Sequence, residues 1–184
     1  IANVYNMVQR AGAAAQRVFE FLDQPEEHSR PGARVLSGVA ARPVRFENIV
    51  FRYTTTQHPP ALDDVTLDVK PGECIAIVGP NGSGKSTLVK MLPRLPEPQG
   101  GRALIGGVDV QDYTLRSLRM QIAVVSQRPT IFARSAAENI AYGHVGATER
   151  EIRTAAEQAF ASEFIEQWPN KYNTVMGEFG ASVS

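Results

Sequence analysis

This sequence of 184 residues has a single cysteine, no formal net charge and no long apolar run. Its single cysteine, Cys74, excludes an internal disulfide framework and a metal site built from several cysteines, and its apolar neighbours predict that it is buried. Lysine and arginine number 19, as do aspartate and glutamate, so the formal net charge is zero and nucleic acid is not expected as a partner. A bilayer-spanning helix needs about 20 consecutive apolar residues, and no apolar run in this sequence is close to that length.

The start of the chain also lacks familiar signals. It begins with Ile1 and shows no signal-peptide pattern, so we expect an internal piece of a longer protein. The remaining composition, 43% hydrophobic and 21% charged, is that of one globular domain with an appendage.

The first 22 residues predict an amphipathic helix, because their apolar side chains recur on one helical face. That face comprises Val4, Val8, Ala11, Ala15, Val18 and Leu22. Pro25 is expected to stop the helix, and residues 25–42, with Pro, Gly, Ser and mixed charges, predict a linker without a core of its own. A domain is therefore expected to begin near Pro43.

The sequence after Pro43 begins with strands and then alternates strands with helices. The predicted elements are strands at 44–53, 62–70 and 73–78, a helix from Lys85, a strand around 102–105, a short helix near 115–119 and a buried strand at 122–126. Two capping-box patterns, Ser135 with Glu138 and Thr148 with Glu151, predict helices that continue to about Trp168.

A glycine-rich stretch after the 73–78 strand carries the clearest functional signal. It reads Gly79-Pro80-Asn81-Gly82-Ser83-Gly84-Lys85-Ser86-Thr87 and matches the P-loop pattern in a strand–loop–helix context. Its glycines allow backbone N–H groups to turn inward as an anion nest at the start of a helix. Lys85 supplies a positive charge for the β and γ phosphates, and the Ser86 hydroxyl is placed to ligate Mg²⁺. The stretch therefore predicts a nucleotide phosphate site.

Several protein families share a P-loop, so the flanking sequence decides between them. Phe51-Arg52-Tyr53 lies in a strand before the loop, and Val124-Val125-Ser126-Gln127 has the pattern of a strand that ends in glutamine. With the helical stretch from Arg128 to about Trp168, these segments resemble the ATP-binding domain of ABC transporters. The resemblance implies that the nine P-loop residues and Tyr53 bind ATP, with the Tyr53 ring stacked on adenine. It also implies that Gln127 is a catalytic residue that contacts Mg²⁺ and the attacking water.

Further stretches narrow the resemblance to exporters, especially bacterial half-transporters of the lipid-flippase and multidrug type. These stretches are Tyr113–Arg119, Phe132 and Glu138–Gly143. Thr174–Gly180 resembles the exporter loop just ahead of the family signature, although Phe179 stands where an arginine is common. Val183 and Ser184 resemble the first two residues of the signature itself.

The resemblance implies a fold and a domain layout. The fold is an α/β P-loop NTPase core with an N-terminal antiparallel β subdomain and a helical subdomain, incomplete at the C-terminus and preceded by an amphipathic helix. In this layout, residues 1–24 end the last transmembrane helix and residues 25–42 form the linker. Residues 43–184 are then a partial ATP-binding domain whose helical subdomain covers about 128–184.

The resemblance also implies partners and a location. The expected partners are the protein's own transmembrane domain and a second ATP-binding domain, in a head-to-tail homodimer. The expected location is the cytoplasmic face of a membrane, a bacterial inner membrane in particular. The intact protein is then expected to be an ATPase that drives export of a lipid, drug or peptide.

Three parts of the family's catalytic machinery do not occur within these residues: a second acidic motif of four apolar residues followed by Asp-Glu, a switch histidine, and the signature beyond its first two residues. We therefore expect the 184-residue piece to bind nucleotide without hydrolysing it. Two alternatives stay open, a soluble P-loop kinase and a DNA-maintenance ABC ATPase. The strands and aromatic residue ahead of the P-loop argue against the first, and the neutral charge argues against the second.

Overall fold

The computed structural model of the chain describes residues 2–24, 26–53, 59–127 and 129–177. They belong to two units, Ile1–Gln121 and Ile122–Ser184. The first unit contains helices α1 (Ala2–Leu22), α2 (Lys85–Met91) and α3 (Leu115–Met120) and strands β1 (Val44–Phe51), β2 (Leu62–Val69), β3 (Gly100–Ile105) and β4 (Val108–Asp109). The second unit contains helices α4 (Ala136–Ile140), α5 (Glu149–Gln158) and α6 (Ser162–Ile165). Short 3-10 helices lie at Val39–Ala41, Val110–Asp112, Ala141–Gly143 and Lys171–Asn173.

The four strands form one antiparallel sheet in the order β2-β1-β3-β4. In the central strand β1, Phe46 pairs with Leu67 of β2 on one side and with Ala103 of β3 on the other. Phe46 and Ile49 are buried, and so are Ala103, Leu104 and Ile105 in β3. The antiparallel strands predicted at 44–53 and 62–70 are confirmed.

A bulge around Asn48 interrupts the pairing of β1 with both neighbouring strands. Asn48 and Asp64 have left-handed backbones, and the Asn48 amide donates a hydrogen bond to Asp64 Oδ1 at 2.6 Å. Gly101 of β3 lies against the bulge, where a Cβ would stand 2.2 Å from Glu47 O. The extra residue at the bulge explains why the buried positions of β1 step by three residues, from Phe46 to Ile49, instead of two.

Helix α1 covers Ala2–Leu22, as the apolar stripe predicts. Four apolar side chains near its C-terminal end are each more than half exposed: Val18, Phe19, Phe21 and Leu22. Within the described residues, no helix is both long enough and apolar enough to cross a bilayer.

The linker after α1 is hydrogen-bonded to the segment 111–121. Arg34 N donates to Asp112 O at 2.7 Å, and Thr114 N donates to Arg34 O at 2.8 Å, so the two segments form a short parallel bridge. Leu36 N donates to Ser117 Oγ at 2.9 Å, and the Leu36 side chain is buried. The linker is thus hydrogen-bonded to α3, to the turn before it and to Gln121 directly after it.

Two ion pairs reinforce this contact. Arg119 lies 2.6 Å from the Glu27 carboxylate, and Arg30 lies 3.0 Å from Asp112. The hydrogen bond from Arg119 holds the pKa of Glu27 below its ordinary value.

The apolar runs 73–78 and 122–126, which we expected to be strands, are not strands in the structure. A strand exists only through hydrogen bonds to a neighbouring strand, and neither run pairs with one within the described residues. Their side chains are exposed as a result: Val78 is 88% and Val125 is 97% exposed. Cys74 is exposed for the same reason, so the prediction that it is buried is wrong.

The two predicted capping boxes both start helices in the second unit. At the start of α4, Glu138 N donates to Ser135 Oγ at 3.2 Å and Ser135 N donates to Glu138 Oε2 at 2.9 Å. At the start of α5, Thr148 and Glu151 make the same pair of bonds, at 3.4 and 2.7 Å. The helices pack around a small core of Ala156, Ile165 and Tyr172. The regular elements in the described part of the second unit are therefore helices.

Candidate nucleotide-binding site

The P-loop follows a left-handed backbone path at two of its glycines. Gly82 has a φ of 81° and Gly84 a φ of 85°, values that residues with a Cβ rarely adopt. Gly84 also lies against the start of β2, where a Cβ would stand 2.2 Å from Ala61 O. Only glycine fits at position 84, directly before the lysine of the motif.

Helix α2 begins at Lys85, immediately after this turn. The first N–H groups of an α-helix have no acceptor inside the helix, and with the helix dipole they favour an anion. Leu88 and Met91 are at most 5% exposed and anchor the helix in the core of the first unit. The loop is thus joined to a helix whose start is fixed in place.

Lys85 folds back over the loop that precedes it. Its Nζ donates to Gly79 O at 2.9 Å and to Pro80 O at 2.8 Å, and it lies 3.3 Å from Ser83 Oγ. These contacts hold the ammonium group at the loop, where a flexible four-carbon side chain can exchange one acceptor for another.

Tyr53 lies beside the P-loop helix, although 34 residues separate it from Thr87. The Tyr53 hydroxyl and Thr87 Oγ1 are hydrogen-bonded at 3.1 Å. The Tyr53 ring also meets the Phe51 ring edge to face, with centroids 4.8 Å apart and planes at 85°. Tyr53 is 48% exposed and lies next to the phosphate loop. The structure therefore brings Tyr53 and the P-loop together, as the sequence predicts.

The other predicted site residues divide between the two units. Gly79, Pro80, Asn81, Ser83 and Ser86 are exposed in the first unit. Gln127 is exposed in the second unit, and its role beside Ser86 stays a prediction. Val183 and Ser184 lie outside the described residues, and so do Arg128 and Phe179.

Sequence reasoning missed the role of Asn139 in the second unit. Its side-chain amide donates to Phe132 O and Ser135 O, each at 3.0 Å, and accepts from Phe132 N at 2.8 Å. The Phe132 ring stacks on Tyr142 with centroids 4.3 Å apart. An asparagine directly after a capping-box glutamate was the available signal, because an amide there can serve the backbone of the preceding loop.

An antiparallel sheet, a P-loop that leads into a helix and an aromatic ring beside it define a P-loop nucleoside-triphosphate-binding domain. Residues 62–182 match the family described as ABC transporter. The chain belongs to the ABC transporter family and has the fold of its ATP-binding domain. This membership excludes the soluble kinase that the sequence left open.

Several curated relatives are similar over the whole chain. The ATP-dependent lipid A-core flippase of Chromohalobacter salexigens is 45% identical over 184 residues, which are 100% of this chain and 31% of the relative. The protein of the same name from Pseudomonas aeruginosa is 42% identical, over 100% of this chain and 30% of its own length. The ABC multidrug transporter mdr2 of Aspergillus fumigatus is 40% identical, over 100% of this chain and 23% of its own length. The chain thus spans about a third or less of these relatives.

A solved structure described as a bacterial Atm1-family ABC exporter with ATP bound has the same fold. It superposes with a TM-score of 0.81 at 35% identity, over 98% of this chain and 32% of that chain.

Proposed function

We propose that this chain is the ATP-binding part of an exporter motor, and that the intact protein hydrolyses ATP to move a lipid, drug or peptide across a membrane. The observation that carries the proposal is the P-loop, whose path requires Gly84 and whose Lys85 is held at the loop by backbone carbonyls. The relatives named as lipid A-core flippases favour a lipid as the transported substrate.

Phosphate binding follows from an exchange of hydrogen-bond partners at Lys85. Its Nζ now donates to the carbonyl oxygens of Gly79 and Pro80. Phosphate oxygens carry negative charge and accept stronger hydrogen bonds than neutral carbonyls do. The N–H groups at the start of α2 add fixed positive ends to the same place. Adenine is proposed to stack on the Tyr53 ring.

The available side chains fit a Mg²⁺ ion that arrives with the nucleotide. Mg²⁺ takes most of its ligands from phosphate oxygens and water and few from the protein. Ser86 offers an exposed hydroxyl as the second residue of α2, and Gln127 offers an exposed amide oxygen. We propose that both hold Mg²⁺, that Mg²⁺ there neutralises phosphate charge, and that Gln127 orients the attacking water.

A second ATP-binding domain is proposed to complete the site. Phosphoryl transfer to water needs a carboxylate behind Mg²⁺, which the family carries after its signature, and donors that face the γ phosphate. In a head-to-tail homodimer, each P-loop faces the signature of the partner. The assembly is proposed to lie at the cytoplasmic face of a bacterial inner membrane, with α1 continuing the last transmembrane helix.

Replacing Lys85 tests this function. In the intact protein, Lys85→Ala should reduce ATP turnover by about 10²-fold or more, since it removes a charged donor from the developing phosphate charge. Phosphate release measures turnover, and lipid movement in vesicles measures transport. Lys90→Ala is the matched control, because Lys90 is an exposed lysine in the last turn of the same helix. Wild-type turnover in the Lys85→Ala protein would contradict the assignment of the loop.

A further inference from the structure

The side chain of Gln99 forms two hydrogen bonds with the backbone of Arg52, one residue before Tyr53. Gln99 Nε2 donates to Arg52 O at 2.7 Å, and Gln99 Oε1 accepts from Arg52 N at 2.6 Å. Gln99 N also donates to Val50 O at 2.9 Å. One glutamine therefore fixes the chain on both sides of Phe51.

These bonds extend the pairing of β1 with β3, with a side chain in place of a strand backbone. The backbone pairing of β1 with β3 ends at Val50 and Gly100. Beyond that point the Gln99 amide provides one donor and one acceptor to Arg52, as a neighbouring strand residue would. On the β3 side, the path of the chain into Tyr53 is thus set by the Gln99 side chain, while on the other side of β1 the pairing with β2 continues to Phe51 and Leu62.

The Tyr53 ring is held from three directions. Gln99 fixes the backbone before it, Thr87 of α2 binds its hydroxyl at 3.1 Å, and Phe51 packs against the ring at 4.8 Å. A stacking surface that is already ordered loses less conformational entropy when a base binds to it. The conformational entropy of Tyr53 is therefore already lost on folding, before nucleotide binds.

We propose that Gln99 is a positioning residue, which sets the affinity for the adenine base by fixing Tyr53 and does not touch the nucleotide itself. This inference rests on the proposed function, specifically on Tyr53 as the adenine platform. Only a side-chain amide of this length satisfies both Arg52 groups. A carboxylate accepts from Arg52 N but opposes Arg52 O, and alanine reaches neither.

The test compares a ligand that has a base with one that lacks it. Dissociation constants for ATP and for inorganic tripolyphosphate are measured on the full-length protein, as wild type, Gln99→Ala and Gln99→Glu. Both variants should weaken ATP binding about three- to tenfold, the range that one or two net hydrogen bonds allow. Tripolyphosphate binding should not change, and it also shows that the P-loop remains folded.

A double-mutant cycle with Tyr53 separates positioning from a general loss of stability. If Gln99 acts through Tyr53, Gln99→Ala should add no further loss of ATP affinity to the Tyr53→Ala protein. Gln121→Ala is the matched control, because Gln121 Oε1 also accepts from a backbone N–H, that of Val39 on the linker, and makes no contact with Tyr53 among those the structure describes. That variant should bind ATP and tripolyphosphate as the wild type does.

Three results would overturn the inference: equal losses for both ligands, additive losses in the double mutant, or unchanged ATP affinity in both Gln99 variants. In each of these cases, wild-type ATP binding and its dependence on Lys85 can remain, and the proposed function survives. An intact protein that binds no ATP, or binds it independently of Lys85, would instead overturn the proposed function and this inference with it.

Discussion

Gly84 lies where the P-loop meets the start of β2, and its α-carbon has no room for a side chain. A Cβ at this position would stand 2.2 Å from Ala61 O and 2.9 Å from Leu62 Cδ2, and the backbone is left-handed as well. Since the obstacle is backbone, it cannot move aside as a flexible side chain could. Strain at position 84 must therefore displace either the loop or Ala61, the residue before β2.

Gly84→Ala is expected to lower the melting temperature and to weaken ATP binding together. Gly82→Ala is the matched control, because Gly82 has nearly the same φ, 81° against 85°, but its Cβ would meet nothing within 4 Å. Gly82→Ala should carry only the cost of left-handed backbone, about 1 to 2 kcal/mol. Thermal unfolding and ATP titration of both variants measure the difference. Equal effects in the two variants would show that the close approach at Ala61 has no importance.

Most of the individual residues that the first unit contributes to the candidate site could be predicted from the sequence. The P-loop motif places its residues next to each other along the chain, and Tyr53 could be found from the resemblance. Gln99 could not, because it contacts Arg52 across 47 residues and lies in a proline-rich turn where a polar side chain looks solvated. Contacts of that kind depend on register between strands, which local patterns do not encode.

Helix α5 shows how an element depends on one carboxylate at its start. Thr148 N donates to Glu151 Oε2 at 2.7 Å, and Thr148 Oγ1 does so at the same distance. The Thr148 backbone bond, followed by that of its hydroxyl, holds the pKa of Glu151 below its ordinary value of 4.5. A lowered pKa in the folded state means that the stabilisation is present above pH 4.5 and is lost as the pH falls through the folded value.

Acid titration of the capping box tests this dependence. Between pH 6 and pH 3, the amide resonance of Thr148 should shift with a midpoint below 4.5, because protonated Glu151 is a poor acceptor. In Glu151→Gln, the amide oxygen still accepts the bond, so the Thr148 shift should no longer titrate there. The Ser135 amide, which belongs to the other capping box, should titrate in both proteins and serves as an internal control. A Thr148 midpoint at or above 4.5 would contradict the expectation.

The elements that sequence patterns predicted correctly carry their own local signals. Helices α4 and α5 have capping boxes, and in β2 apolar and polar side chains alternate from Val65 to Val69. The runs 73–78 and 122–126 have only apolar character, which indicates burial against something but does not supply a hydrogen-bonding neighbour. Whether such a run forms a strand depends on the sheet that it joins, and it cannot be predicted from the residues of the run alone.

At the scale of the whole chain, ATP binding and ATP hydrolysis are expected to separate. The 184-residue polypeptide contains the P-loop and Tyr53, but its sequence shows no second acidic motif and no switch histidine. Groups that act only in the transition state determine turnover, and ground-state binding does not depend on them.

The 184-residue polypeptide should therefore release no phosphate from ATP above background, while the intact protein does. A phosphate-release assay on both, with the Lys85→Ala variants as blanks, makes the measurement. Retained tripolyphosphate binding by the short polypeptide controls for a folded P-loop. Turnover by the short polypeptide that disappears in its Lys85→Ala variant would mean that a catalytic base within these residues has been overlooked.

The contact between the linker and α3 determines at which residue a separately expressed ATP-binding domain should begin. By composition alone, Pro43 is the natural first residue of an isolated domain, because it follows a stretch rich in proline, glycine and charge. A polypeptide that begins there loses Leu36, together with the backbone donors that serve Ser117 and Asp112. It also leaves Arg119 without Glu27. A polypeptide that begins at Glu26 keeps all of these contacts, none of which involves α1, and is the better starting point for expression of the domain.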